Sequence, residues 1–200
     1  MAKAASPTLV SAIGRVSFPE VFEASSYEGS DPKFGITLVY DLNALDMEAD
    51  KTLQAMKQAA NDAAMERFGC GIGKCPKGSA RPIAHPFRKG EEKPAYYEEG
   101  QIFVKFTSKL APGVVYPDRT PIEPTSRDFY AGCYARVSFT VYTYDRSGNK
   151  GVGFGLRNVQ KVADGEPIGS GSRSAAEDFE DVSDVDVVAE AMADDDVCGF

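Results

Sequence analysis

Tyr130-Ala131-Gly132-Cys133-Tyr134-Ala135-Arg136-Val137-Ser138-Phe139-Thr140-Val141-Tyr142-Thr143-Tyr144 is the stretch on which the fold turns, and residues 151–162, Gly-Val-Gly-Phe-Gly-Leu-Arg-Asn-Val-Gln-Lys-Val, complete it. In the first segment Cys133, Ala135, Val137, Phe139 and Val141 form an apolar side. Tyr134, Arg136, Ser138, Thr140, Tyr142 and Tyr144 form the other side. A period of two is the signature of a strand with one buried face. Asp145-Arg146-Ser147-Gly148-Asn149-Lys150 supplies the turn, so the two segments read as a long hairpin. Glycines inside the return strand mark bends, as at barrel corners, or close backbone approach.

Further strands follow by the same test. Residues 8–18 are rich in β-formers, with Pro19 interrupting the segment and Phe22 closing it. Residues 33–40 alternate, with Phe34, Ile36, Leu38 and Tyr40 on one side. In residues 102–109, Ile102, Val104 and Phe106 face one way, and Phe103, Lys105, Thr107 and Lys109 the other. The Pro-rich connection 112–124 has room for a short strand at Val114-Val115-Tyr116. Residues 46–68 form the one strong helix, with Ala49, Leu53, Met56 and Ala60 at helical spacing, Asp46 as N-cap and Gly69 as terminator. Residues 70–100 hold Gly71, Gly73, Gly78, Gly90 and four prolines, and read as a long loop of the kind that is either functional or disordered. The expectation is a mainly β protein: a five-stranded OB-fold-like barrel with one main α-helix, long loops and a disordered acidic C-terminal tail. Residues 1–168 form the domain; residues 169–200 form a flexible linker, Gly169-Ser170-Gly171-Ser172, and the tail.

Charge is sharply segregated. The chain has 22 basic and 30 acidic residues, but ten of the acidic ones lie from Glu177 onward and no Lys or Arg follows Arg173. The body is therefore close to +2 and the tail close to −10, so the formal net charge of −8 does not exclude a polyanionic partner. No apolar run is long enough to span a membrane, and the N-terminus lacks the apolar core of a signal peptide. Four scattered cysteines suit a reducing cytoplasm.

Single-stranded nucleic acid needs cations for its phosphates and rings for its unpaired bases. Phe103, Lys105, Tyr134, Arg136 and Tyr142 offer that pairing on outward strand positions, with Lys33 and Arg157 as additions. Arg81, Arg88 and Lys89 of the long loop are placed to clamp a strand from the side. Alternation alone weighs this equally against a second packed face under the helix or a dimer partner; the segregated tail favours the binding face. The tail is a tethered polyanion able to compete for the same cations. Its end, Asp194-Asp195-Asp196 and then Phe200, joins a ring to a free carboxylate and suits a basic, apolar pocket on a partner protein.

Other chemistries fit poorly. Gly69-Cys70-Gly71-Ile72-Gly73-Lys74-Cys75 lacks the first Gly and the Ser or Thr of a phosphate loop and follows a helix rather than a strand. Cys70, Cys75, His85 and Cys133 lack the second pair of a zinc site, so no metal and no cofactor is expected. With His85 as the sole histidine, no catalytic residue is assigned.

Phe129-Tyr130-Ala131-Gly132-Cys133-Tyr134-Ala135-Arg136, residues 151–162 and Asp164-Gly165-Glu166 resemble phage-encoded single-stranded-DNA-binding proteins of the OB-fold class, over roughly residues 8–168. The resemblance implies an OB-fold and sequence-tolerant binding of single strands in phage replication, recombination or repair, without catalysis. The tail is similar in kind to those of bacterial and phage single-strand binders, which end in acidic residues and an aromatic. Cys198-Gly199 stands here where the bacterial pattern has an apolar residue and a Pro. By the same likeness the tail recruits replication or recombination proteins, and a homodimer whose partner captures each tail is expected by analogy. The alternative is a non-enzymatic phage structural or protein-interaction module without nucleic-acid binding.

Overall fold

The computed structural model describes residues 7–168 apart from 27, 28, 30, 78 and 80. Its strands are β1 (Leu9–Val10), β2 (Gly14–Ser25), β3 (Lys33–Asp41), β4 (Phe87–Lys89), β5 (Gln101–Ser108), β6 (Gly113–Val115), β7 (Tyr134–Arg146) and β8 (Asn149–Ala163). Among the described residues the single α-helix, α1, is Met47–Phe68. The linker and tail, residues 169–200 with Asp194, Asp195, Asp196 and Phe200, lie outside the described residues.

Five strands close on themselves in the order β2-β3-β5-β8-β7, with β7 returning to β2. All these contacts are antiparallel except β5–β8, which is parallel in the register Phe106↔Phe154 and Thr107↔Gly155. This is the expected OB-fold-like ring. β1 pairs with β7, β6 runs parallel to β8, and β4 pairs with β5 on the outside of this path. Phe106, Phe139 and Phe154 fill the interior, with ring centroids 4.7 to 5.6 Å apart, and each is at most 1% exposed. Burying three such rings adds much cohesion, since each removes about 150–250 Å² from water.

The helix obeys its sequence signals. The Asp46 carboxylate accepts the backbone N–H of Ala49 at 2.7 Å, and Gly69 ends the helix at φ 70°. Leu53, Met56, Ala60 and Ala64 make a narrow buried stripe toward the core. The β7–β8 hairpin turns on Ser147 and Gly148, both at positive φ, as a tight two-residue connection requires.

Two strands depart from plain alternation. β2 is not closed at Phe22 but runs on through Pro19 to Ser25. Val16 and Val21 both face the core although five residues apart, so one residue must be extra. The register shifts between Ser17↔Thr37 and Glu20↔Gly35, placing the bulge at Phe18-Pro19. In β8, Leu156 and Val159 both face inward, and the register shift between Ser138 and Phe139 turns both Arg157 and Asn158 outward. The expected long loop, 70–100, carries β4 and a 3-10 turn at Gly90–Glu92.

Candidate nucleic-acid interface

Two neighbouring parts of the outer wall carry aromatic and cationic side chains. The first belongs to β2, β3, β4 and β5. Antiparallel register puts Phe103 beside Val39 and Arg88, and Lys105 beside Thr37, all on one side. Phe103 points out of the barrel as expected, but its exposure is not as expected: it is only 5% exposed. The loop before β5 turns back, with the N–H groups of Tyr96 and Tyr97 donating to the Lys93 carbonyl, and lays Tyr97 over Phe103. Their centroids are 4.5 Å apart with planes 24° from parallel. The Tyr97 hydroxyl lies 3.4 Å from Ser17 Oγ, and burial pushes its pKa up.

Cations ring this stack. The Arg88 guanidinium and Lys93 ammonium lie 5.7 and 5.9 Å from the Phe103 centroid. Arg88 donates twice to Glu92, at 2.6 and 2.8 Å, which holds the Glu92 carboxyl below its usual range. Such an exposed pair contributes little stability and yields readily to another anion. Among the described residues, Lys93 and exposed Lys105 have no carboxylate within salt-bridge distance. Two rings stand outermost, Tyr96 at 61% and Phe18 at 44% exposure, in edge contact at 5.2 Å and 70°.

The second part is the β7–β8 wall, which adjoins the first through the Thr107↔Gly155 step. Tyr142 faces Gly153 and Tyr144 faces Gly151 across the hairpin. A Cβ at Gly153 would come within 2.6 Å of the Tyr142 ring, and one at Gly151 within 2.3 Å of Tyr144. The missing side chains thus let both rings lie across the sheet. This is the close approach that the strand glycines signalled. Tyr142 keeps 43% of its surface exposed. Arg157 is exposed at the β8 bulge on the same wall. Tyr134 and Arg136 are exposed toward the other end of β7, where Arg136 Nε donates to Gln160 Oε1 at 2.8 Å. There the chain after β8 is anchored: Lys161 bonds Asp164 at 2.7 Å, and Tyr130 donates to Asp164 and to the Gly165 carbonyl.

The remaining expected residues are not gathered with these. Arg81 donates to Asn149 at 2.6 Å beside the hairpin tip. Lys89 pairs with Ile102, on the opposite side of β4 from Arg88. Lys33 is half-buried at the start of β3. With Lys109, whose hydrogen bond dominates, and Arg146, it draws the Asp31 carboxyl below its usual range. Phe18, Tyr96, Tyr97 and Lys93 were not singled out from sequence. Their signals are a Pro inside a strand run, which points to a bulge, and adjacent aromatics in a Pro-containing loop. Among the described residues no group of three or more His, Cys, Asp or Glu comes together to hold a metal.

The family described as Enterobacter phage Enc34, ssDNA-binding protein, matches residues 8–192. A relative from Acyrthosiphon pisum secondary endosymbiont phage 1, called putative protein p50, is 26% identical over 172 residues, 84% of this chain and 90% of that protein. Among solved structures, the single-stranded DNA-binding protein of bacteriophage Enc34 in complex with ssDNA aligns at a TM-score of 0.63 and 18% identity, over 81% of this chain and 89% of that one. The gp2.5 single-stranded DNA binding protein of bacteriophage T7 aligns at 0.53 and 16%, over 89% and 97%. At these identities the structural likenesses establish a shared fold.

Proposed function

The chain belongs to the Enc34 phage ssDNA-binding protein family, and from that premise we propose that it binds single-stranded DNA without regard to sequence and without catalysis. The observation that carries this reading is the cluster of solvent-facing rings and cations on the β2–β5 side, continued by the tyrosines of the β7–β8 wall. Rings stack on unpaired bases at about 1–3 kcal/mol each, independent of base identity, while cations take phosphates. Lys93, Lys105, Arg88 and Arg157 take the backbone in this scheme. Tyr96, Phe18 and Tyr142 take bases, and Phe103 acts from beneath as the footing of Tyr97. Tyr134 and Arg136 extend the track along β7, and Lys33, Arg81 and Lys89 attract the strand from its margins.

The work served is phage DNA replication, recombination or repair in the cytoplasm of the infected bacterium. The acidic tail, residues 174–200, competes with DNA for these cations. Its end, at Asp194, Asp195, Asp196 and Phe200, recruits replication or recombination proteins. A homodimer in which each tail is captured by the partner is compatible with that role.

Titrating a short labelled oligonucleotide across a salt series tests the reading. Affinity is expected to fall with a log–log slope of about −0.7 per phosphate contacted. Absence of binding, or a flat salt response, would favour a protein-interaction module instead. Removing residues 174–200 is expected to tighten binding; unchanged affinity would remove the competitive role of the tail and leave the binding role intact.

A further inference from the structure

We infer that the corner between Phe18 and Tyr96 is a seat for one unpaired base, held open by the Phe18-Pro19 bulge of β2. This deepens the single-strand reading and rests on it. Phe18 has φ +48°, in the left-handed region that bulky L residues avoid. Regular alternation after Val16 and Ser17 would have sent its ring into the core. The extra residue in β2 turns it out instead, at 44% exposure. Val16 and Val21, 0% and 1% exposed, already seal the barrel on either side, so the ring is not needed as filling.

The second ring is also fixed, and it is the more open of the two. The turn on the Lys93 carbonyl sets the backbone of Tyr96 and Tyr97, and the Tyr97–Phe103 stack pins that turn to the sheet. Tyr96 itself remains 61% exposed. Two rings at 70° make a corner: a base lying flat on one has its edge against the other. Lys93, whose ammonium lies 5.9 Å from the Phe103 ring beneath Tyr97, takes the adjoining phosphate. A base stacked inside a duplex offers neither its face nor its free edge, so the corner selects single strands. Bulges that re-aim a side chain recur beside functional sites for this reason.

The full chain carrying Phe18→Gly or Tyr96→Ala tests this, with an oligothymidylate for affinity and a 2-aminopurine-substituted oligonucleotide for stacking. Glycine accepts the left-handed conformation, so Phe18→Gly is expected to melt no lower than the parent. Each variant is expected to bind about tenfold more weakly, the loss of one stacked base. Each should reduce the 2-aminopurine emission change while keeping the parent's salt slope, because no phosphate contact is lost. Lys93→Ala should instead make that slope shallower by about 0.7. Should Phe18→Gly not fold, Tyr96→Ala decides by the same readouts. Parent-like affinity and emission in the ring variants would overturn the corner while leaving single-strand binding intact; no binding by the parent would overturn both.

Discussion

Phe103 on β5 and Tyr142 on β7 both point away from the barrel interior, and they end in opposite situations. Phe103 is roofed by Tyr97 and keeps 5% of its surface, while Tyr142 lies on the bare backbone of Gly153 and keeps 43%. The strand period fixes the side on which a residue stands. What lies above it is decided elsewhere: by a loop that folds back over β5, and by glycines on β8 that lower the floor under β7. A roofed ring serves as foundation, and a bedded ring serves as surface.

Removing the roof has the largest expected effect. Tyr97→Ala takes away a buried ring that stacks on Phe103 and touches Ser17, at a cost of about 3 kcal/mol in urea denaturation, within the range for large-to-small changes. A loss below about 0.5 kcal/mol, typical of a neutral surface site, would mean that Tyr97 does not hold Phe103. Tyr142→Ala should do the reverse, leaving stability nearly unchanged while weakening DNA binding about tenfold. If instead Tyr142→Ala costs stability and spares affinity, the roles of the two faces are exchanged.

How far the sequence reached follows the same division. Alternation in residues 133–141 and 102–106 identified the buried sides of β7 and β5, because a two-residue period is a local property. The cap at Asp46 and the stop at Gly69 were legible for the same reason. By sequence Phe18 is a plain strand residue, because the extra residue of the bulge is visible only once Ser17 and Glu20 have partners on β3. Burial of Phe103 was not legible, since it depends on where a loop of irregular sequence lies in space. Lys89 and Arg81 matched the chemistry of a DNA contact by type. Their placement, across β4 from Arg88 and beside Asn149, needed the pairing of distant segments.

Gly153→Ala introduces a Cβ within 2.6 Å of the far end of the Tyr142 ring, which can swing aside. The stability loss is expected to stay below about 1 kcal/mol, less than usual for overpacking. Binding should shift in the same direction as Tyr142→Ala but by less, which titration of the two variants side by side would show. A loss of several kcal/mol would mean that the ring is locked in place rather than laid on the sheet.

The smallest effect concerns the anchor beyond β8. The hydrogen bond from Lys161, with a second from Tyr130, holds the Asp164 carboxyl below its usual range. Burial opposes the charge on Lys161, yet the hydrogen bond and the charge of Asp164 raise its pKa overall. A depressed carboxylate stabilises above its unfolded pKa of about 3.9 and loses that contribution as pH falls below it. A raised lysine stabilises below about 10.4 and loses its contribution as pH climbs above. Melting temperature should therefore carry a plateau between these limits. Asp164→Asn should lower that plateau slightly and lessen the decline at its acid end. Identical pH profiles for parent and variant would show that the anchor adds nothing to stability.

Photo-cross-linking of the full chain to an oligonucleotide carrying 5-iodouracil, followed by mass spectrometry of the adducts, tests most directly where single-stranded DNA lies. Adducts are expected on the peptides that contain Phe18 and Tyr96, with a second group on the peptide that contains Tyr142. Adducts confined to α1 and β6, with none on those peptides, would contradict this placement.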